Sequence, residues 1–192
     1  MSRILVLYGS TYGQTRRVAE RIREVLRGEG DEADLVWGAA LPDGLRLADY
    51  DGIVIAASVL LGRYQPYVRS FVRRNVEWLN AVPSAFVSVC GAASGDPPLA
   101  QSYIDRFLLE TGWWKPAVTS SFTGAVAYTR YSPLLRWWLK QISRRKGLPT
   151  DTSRDWDFTE WGEVELFARR FGHRVAGPPA RRALRPVAAL HA

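Results

Sequence analysis

The stretch from Val6 to Ile22, VLYGSTYGQTRRVAERI, limits what this chain can fold into more than any other. An apolar run ends at Tyr8, and a loop of small and hydroxylated residues follows: Gly9, Ser10, Thr11, Tyr12, Gly13, Gln14 and Thr15. Directly behind it Val18, Ala19, Ile22, Val25 and Leu26 recur at helical spacing, so strand, loop and helix follow one another without a gap. The head of such a helix carries N–H groups with no intrahelical partner and the positive end of the macrodipole, which suits an anion. Ser10, Thr11 and Thr15 add hydroxyl donors, and Gly13 lets the backbone close around a ligand. A phosphate meets that description; the plainer alternative is an ordinary strand-to-helix turn with Ser and Thr caps. No Lys-Ser or Lys-Thr pair follows a glycine as in a P-loop, and the glycine triplet of the dinucleotide fold is absent.

The rest of the chain alternates in the same manner. Apolar strands are expected over Arg3 to Tyr8, Gly52 to Ala57 and Ser84 to Val89, with an edge strand around Ala33 to Trp37 and a fifth over Ala117 to Phe122. Helices are expected from Gln14 to Arg27, from Pro66 through Leu79, from Pro97 through Leu108, and from a cap near Thr159 through Phe171. The connection Gly38 to Tyr50 holds Pro42 and Gly44 and has room for a short helix at best. Buried parallel strands alternating with helices mean a doubly wound α/β sheet.

Two stretches fall outside that plan. Residues 124–158 are too long for a plain connection before the last helix. Within them, Pro133 to Lys146 puts Leu134, Leu135, Trp138, Leu139 and Ile142 on one side of a helix, while Arg136, Lys140, Arg144, Arg145 and Lys146 supply charge. That is the pattern of a helix lying in a membrane interface, with Trp137 and Trp138 at headgroup depth. The competing reading is a helix packed on its own domain with a solvated basic face. The Pro-, Ala- and Arg-rich tail over 176–192 is expected to be mobile, leaving 1–175 as the folded domain.

Composition sets outer limits. At 192 residues and 47% hydrophobic content, the chain suits one domain with a full core. The single cysteine, Cys90, excludes a disulfide framework, and His173 and His191 lie too far apart for a His-based metal site, so none is expected. Cys90 as a redox thiol is less expected than Cys90 as a small apolar strand end. The first strand begins at Arg3 and no apolar run nears the ~20 residues of a membrane span, so the expected location is the cytoplasm. With 26 Lys and Arg against 19 Asp and Glu, the net charge is +7. Such a surface prefers anionic lipid, nucleic acid or acidic small molecules.

The opening stretch resembles the flavodoxin signature at every fixed position: Val6 and Leu7, aromatic Tyr8, Ser10, small Gly13, Thr15, Ala19 and Ile22. The resemblance implies a flavodoxin-like, five-stranded parallel sheet in the order 2-1-3-4-5, with FMN across the carboxyl ends of strands one, three and four. It places the FMN phosphate on Ser10, Thr11, Tyr12, Gly13, Gln14 and Thr15. The flavin ring is then flanked by Ser58, Val59, Leu60, Gly62 and Tyr64 after strand three, and by Val89, Cys90, Gly91 and Ala92 after strand four. Tyr64, Trp113 and Trp114 could stack on the ring or lie in the core. No acid–base pair or nucleophilic triad is evident, which agrees with the flavin itself carrying the chemistry.

Nearly the whole chain to about Val175 also resembles the bacterial menaquinone-dependent protoporphyrinogen IX dehydrogenases. The likeness rests on IAASVLLGRY (Ile55 to Tyr64), NAVPSAFVSV (Asn80 to Val89), GAVAYTRY (Gly124 to Tyr131), and Thr150 to Thr152 followed by Thr159-Glu160-Trp161. The family pattern has Arg and Tyr where this chain has Leu60 and Leu61, and Arg in place of Ala127. The resemblance implies an oxidoreductase of heme biosynthesis, peripheral on the inner face of the cell membrane. Its partners would be a porphyrinogen, a membrane quinone and the anionic membrane surface, not nucleic acid. Arg63, Arg130, Trp137, Trp138, Lys140, Arg144 and Arg145 are the expected substrate or membrane contacts. A NAD(P)H:quinone reductase, an electron-carrier flavodoxin and a flavin-free binding module are the alternatives.

Overall fold

A computed structural model describes residues 1–145 and 147–177. In chain order the elements are β1 (Arg3–Gly9), α1 (Gln14–Gly28), β2 (Glu32–Trp37), β3 (Gly52–Ser58), α2 (Pro66–Arg74), α3 (Val76–Ala81), β4 (Ser84–Val89), α4 (Pro97–Glu110), β5 (Val118–Phe122), β6 (Ala125–Val126), α5 (Pro133–Arg145), β7 (Trp156–Asp157) and α6 (Trp161–Ala176). The main sheet is parallel in the expected order β2-β1-β3-β4-β5.

Because successive side chains leave a strand on opposite faces, each apolar strand supplies two cores at once. Ile4, Val6, Val54 and Val87 meet Val18, Ile22 and Leu26 of α1 and Val164, Phe167 and Phe171 of α6. Leu5, Leu7, Ile53, Ile55 and Phe86 meet Val68, Phe71 and Val72 of α2, Leu79 of α3, and Ile104 and Phe107 of α4. Phe86 stacks on Phe107 with ring centres 4.6 Å apart. Enclosing a side chain of this size stabilises the fold by ~1.5–3 kcal/mol, so β3 and β4, buried along almost their whole length, anchor the molecule.

Two helix boundaries differ from expectation. The helix foreseen from Pro66 through Leu79 breaks at Asn75, whose Nδ2 donates to the Phe71 carbonyl at 2.8 Å while its N–H turns to Val72. The asparagine side chain competes with the backbone ladder there, and α3 starts afresh. At the other end Thr159 does not cap α6, which has no side-chain cap; the Thr159 hydroxyl donates instead to the Thr123 carbonyl. The connection between β2 and β3 forms only a short 3-10 turn, Leu47–Asp49.

Residues 124–158 are closed at their ends by β6 and β7, which pair antiparallel with Ala125 opposite Asp157 and Val126 opposite Trp156. A 3-10 turn, Tyr128–Arg130, leads into α5. The side expected to share Leu134, Leu135, Trp138, Leu139 and Ile142 is divided. Leu135 and Leu139 pack on the buried Tyr128 and Tyr131 cluster, and Ser143, one turn further, accepts from the Tyr128 hydroxyl at 2.8 Å. Leu134, Trp137 and Trp138 face outward, 77%, 60% and 45% exposed. The docked stripe follows the i, i+4, i+8 row, a narrower seam than the apolar pattern alone suggests. Lys146 and residues 178–192 of the tail lie outside the described residues. Among the described residues no helix is long and apolar enough to cross a membrane.

Candidate functional site

The strand register brings several loops to one edge of the sheet. Gly9 of β1 stands beside Ala57 of β3, Ser58 beside Val89 of β4, and Val89 beside Phe122 of β5. A cleft opens there, lined by Ser10, Thr11, Tyr12, Gln14 and Thr15 from the first loop, Ser58, Val59 and Leu60 from the second, and Val89, Cys90 and Gly91 from the third. Gly124, Ala125 and Tyr131 complete the wall and were not foreseen as site residues.

The first loop is shaped by its own bonds. Ser10 Oγ accepts from the Gly13 N–H at 2.9 Å, closing the turn and leaving the serine proton to point elsewhere. Gly13 has φ 95°, a left-handed conformation that side chains avoid, and a Cβ there would also lie 2.8 Å from Arg130 Nη1. Gly9 is needed for close approach, since its Cβ would come within 2.4 Å of Val68 Cγ2. Behind this turn α1 starts with no side-chain cap and no acidic residue in its first turn. Thr15 is completely buried, yet its hydroxyl has no hydrogen-bond partner, and neither has Gln65 Oε1. A buried, unpaired polar atom costs ~1–3 kcal/mol, so native proteins rarely keep one without a use. An anionic group at the helix head, accepting from Thr15 and the free first-turn N–H groups, removes that cost.

Gln14 and Gln65 do different work from what their positions suggest. Gln14 Nε2 is committed to Asp157 Oδ1 at 2.8 Å and Thr159 Oγ1 at 2.7 Å, so this residue offers the cleft its backbone. Gln65, missed in the sequence, donates to Thr11 Oγ1 at 3.1 Å and Ser58 Oγ at 2.6 Å, tying the first loop to the second. Its signal was absent because the glutamine precedes α2 and meets those loops only in three dimensions.

In the second loop Val59 N–H donates to the Val89 carbonyl, and Leu60 and Arg63 exchange backbone bonds of 2.9 and 3.1 Å. Between them Leu61 has φ 50° and Gly62 φ 76°, two left-handed residues in a tight turn. A leucine in that region is unusual, and this one is 69% exposed at the tip. Gly62 and Arg63 lie outside the cleft, on a separate pocket. Tyr64 is a correction: it does not stack over a ligand but is buried edge-on to Phe86 and Phe107, its hydroxyl donating to Ser88 Oγ at 2.8 Å. Burial pushes its phenol far above the ordinary tyrosine range. The ring is drawn inward because Phe86 and Phe107 offer it an apolar seat and Ser88 accepts its hydroxyl proton. Trp114 is likewise core, donating to Ser84 Oγ, and Trp113 is exposed in the turn before β5.

In the third loop Cys90 is buried, with its N–H on the Phe122 carbonyl. Ala92 does not line the cleft; it packs beneath it with Cys90 and Ala100, and its carbonyl accepts from Gly95 and Asp96. Among the described residues no group of three or more His, Cys, Asp or Glu could hold a metal ion.

Residues 124–158 are stitched onto the first loop. Arg130, expected to face substrate or membrane, instead donates from Nη1 to the Tyr12 carbonyl at 2.7 Å, with Asp155 3.8 Å from its Nε. Tyr12 meets Tyr131 edge-to-face at 4.6 Å. Asp157 accepts from Gln14 and from Arg17 Nη1 at 2.9 Å. Burial raises its pKa, but the Thr159 backbone and side chain, Gln14 and Arg17 outweigh burial and hold the carboxyl below its usual value. Of the remaining expected contacts on α5, Lys140 is half-buried, and Arg144 and Arg145 are exposed.

Comparison with known proteins adds to this geometry. The model of the flavodoxin domain family matches residues 5–153. The chain is 32% identical over 177 residues to an Escherichia coli K12 protein named protoporphyrinogen IX dehydrogenase [quinone], a match covering 91% of this chain and 97% of the relative. It is 30% identical over 184 residues to a Leishmania major protein of the same name, covering 92% and 78% respectively. Among solved structures, a flavodoxin mutant from Pseudomonas aeruginosa superposes with a TM-score of 0.57 at 16% identity, covering 91% of this chain and 99% of that one. An oxidised flavodoxin 1 from Bacillus cereus gives 0.55 at 17% identity, covering 88% and 97%. At such identities the two structures speak for the fold alone.

Proposed function

The chain belongs to the flavodoxin domain family, and on that premise we propose that it is an FMN-dependent protoporphyrinogen IX dehydrogenase that delivers electrons to a membrane quinone. The observation that carries the proposal is the likeness to proteins of that name, which is long enough to take in residues 124–158 as well as the sheet. The cradle fits the cofactor. Thr15, wholly buried and unpartnered, waits beside free helix N–H groups for a strong acceptor, and a phosphate dianion is one. Ser10 adds its hydroxyl proton, and the Arg130 guanidinium, fixed on the Tyr12 carbonyl, adds positive charge at the rim.

When bound, FMN supplies the two-electron chemistry that none of these side chains offers. The chain's own part is placement. Val59, Leu60, Cys90 and Gly91 line the cleft, and of their backbone groups the Val59 carbonyl and the Gly91 N–H and carbonyl have no partner among the described residues and can bond a flavin edge. Val59, Leu60 and the Tyr131 ring exclude water from the same space. Beside them α5 exposes Leu134, Trp137 and Trp138 near Arg144 and Arg145, a composition that favours an anionic lipid surface, where a quinone dissolves. The protein would then work on the inner face of the cell membrane.

The test is an anaerobic assay of the purified full-length protein, after its flavin spectrum is recorded, with protoporphyrinogen IX and a menaquinone analogue. Porphyrin formation matched by quinone reduction is the expected result. Flavin reduced by NADH and not by the porphyrinogen would assign the chain to the NAD(P)H:quinone reductases instead.

A further inference from the structure

A second pocket of about 230 Å³ shares no lining residue with the cleft and opens between the Leu60–Arg63 turn, α2 and α4. Its lining includes Gly62, Arg63, Arg69, Tyr103, Arg106 and Glu110. Arg69 is paired with Glu110, 3.4 Å away. The Arg106 guanidinium donates to the Gly62 carbonyl and lies 5.7 Å above the Tyr103 ring centre. Arg63 is exposed, and among the described residues its side chain has no hydrogen-bond or ion-pair partner. Three guanidinium groups therefore share one small pocket with a single carboxylate, and that carboxylate is already taken by Arg69.

Like charges lining one pocket are relieved when an anion joins them, and the planar fork of arginine matches a carboxylate oxygen for oxygen. The position of the pocket says which anion. Leu60 lines the cleft and Arg63 lines the pocket, and the two ends of such a tight turn are within about 7 Å of each other. A molecule lying in the cleft can therefore pass a short flexible acidic arm around the turn. On the functional reading above, on which this inference rests, the substrate is a tetrapyrrole with carboxylate arms. We propose that Arg63 and Arg106 form a subsite for one carboxylate of the substrate, with Arg69 as a second cation held in place by Glu110.

The subsite is tested with the flavin-loaded full-length protein, Arg63→Gln, Arg106→Gln, and two substrates: protoporphyrinogen IX and its dimethyl ester, which lacks the charges. Arg63→Gln is the cleaner variant because its side chain holds nothing in the fold; the melting temperature and flavin spectrum of Arg106→Gln report whether the turn has moved. For the diacid each substitution should raise KM by ~10-fold, the worth of one charge-assisted bond, with kcat unchanged. The ester should start with the high KM and feel neither substitution. Equal changes for diacid and ester, or no change for either, would overturn the subsite. Binding of the oxidised diacid porphyrin and its ester, followed by fluorescence, gives the same comparison without turnover. A protein that oxidises neither substrate sinks the functional reading, and the binding comparison still decides the subsite.

Discussion

Phe86 sits in the middle of β4 between two layers of helix, fully enclosed and stacked on Phe107. Tyr128 is just as enclosed, but it lies under the single helix α5, anchored by its hydroxyl to Ser143. The sheet is held by apolar area on both faces, whereas residues 124–158 are held by one small cluster around Tyr128, Tyr131, Leu135 and Leu139 and a set of polar bonds, among them Arg130 to Tyr12, Gln14 to Asp157 and Arg17 to Asp157. Apolar burial is non-directional and cooperative; polar bonds at half-exposed positions are directional and individually weak. The same fold therefore joins an apolar platform to a cover fastened largely by polar bonds. The cleft lies on the boundary, with Thr15 belonging to the first and Tyr131 to the second.

The largest effect that can break this contrast is a deletion in each region. Phe86→Ala should cost ~3–5 kcal/mol in a single cooperative transition, read by denaturant unfolding. Tyr128→Ala removes a ring of similar size, yet hydrogen exchange should show protection lost over 124–158 while β1, β3 and β4 keep theirs. Uniform loss of protection in the second variant would mean that the two regions fold as one.

Next in size is Thr15→Ala. The hydroxyl has no partner to lose in the empty protein, so stability without flavin should stay constant or rise, while FMN affinity falls by ~1.5–3 kcal/mol. Adding Ser10→Ala should deepen the loss, and calorimetric titration reads both. Unchanged affinity in the double variant counts against the phosphate cradle. Replacing Trp137 and Trp138 together by Glu acts on the cover alone: co-sedimentation with anionic vesicles should be lost while flavin content is kept. Equal sedimentation would show that the outward face of α5 has no part in lipid contact.

The smallest effect is the acid limb from Asp157. Its folded pKa lies below the ordinary value of 3.8, so it contributes stability above that pH and loses it as pH falls through the lower, folded value. The carboxylate is partly solvated, and the contribution is at most ~1 kcal/mol. Asp157→Asn should flatten the stability curve below about pH 4 with no change near neutrality, followed by thermal melts across pH.

The alternation of buried strands and helices and the tight turn before α1 were legible because they are written locally, whereas the strand order came from the resemblance to flavodoxins. Continuous apolar runs name the central strands, and Gly9, Ser10, Gly13 and Thr15 mark the turn by types that few other structures require. The errors share a cause of the opposite kind. Tyr64 is a plausible ring-stacking residue by type, and only the packing of Phe86 and Phe107 beside it decides that it points inward. The bond from Arg130 to the Tyr12 carbonyl was out of reach for the same reason, since nothing near Arg130 in sequence announces a partner 118 residues away. On α5 the apolar pattern was right about composition and wrong about which residues dock, since the partner rings Tyr128 and Tyr131 admit only the Leu135, Leu139 and Ser143 row.

By itself, then, the order of residues determined the parallel sheet and the anion-seeking head of α1. Periodicity, turn chemistry and the unpaired amides of a helix start are properties of neighbouring residues. Tertiary structure alone decided that Gln65 joins two loops, that residues 124–158 fasten onto the first of them, and that three arginines from three segments face one pocket. Those contacts join segments far apart in the chain, and a hydrogen bond or an ion pair forms only where packing has already brought its partners within a few ångströms.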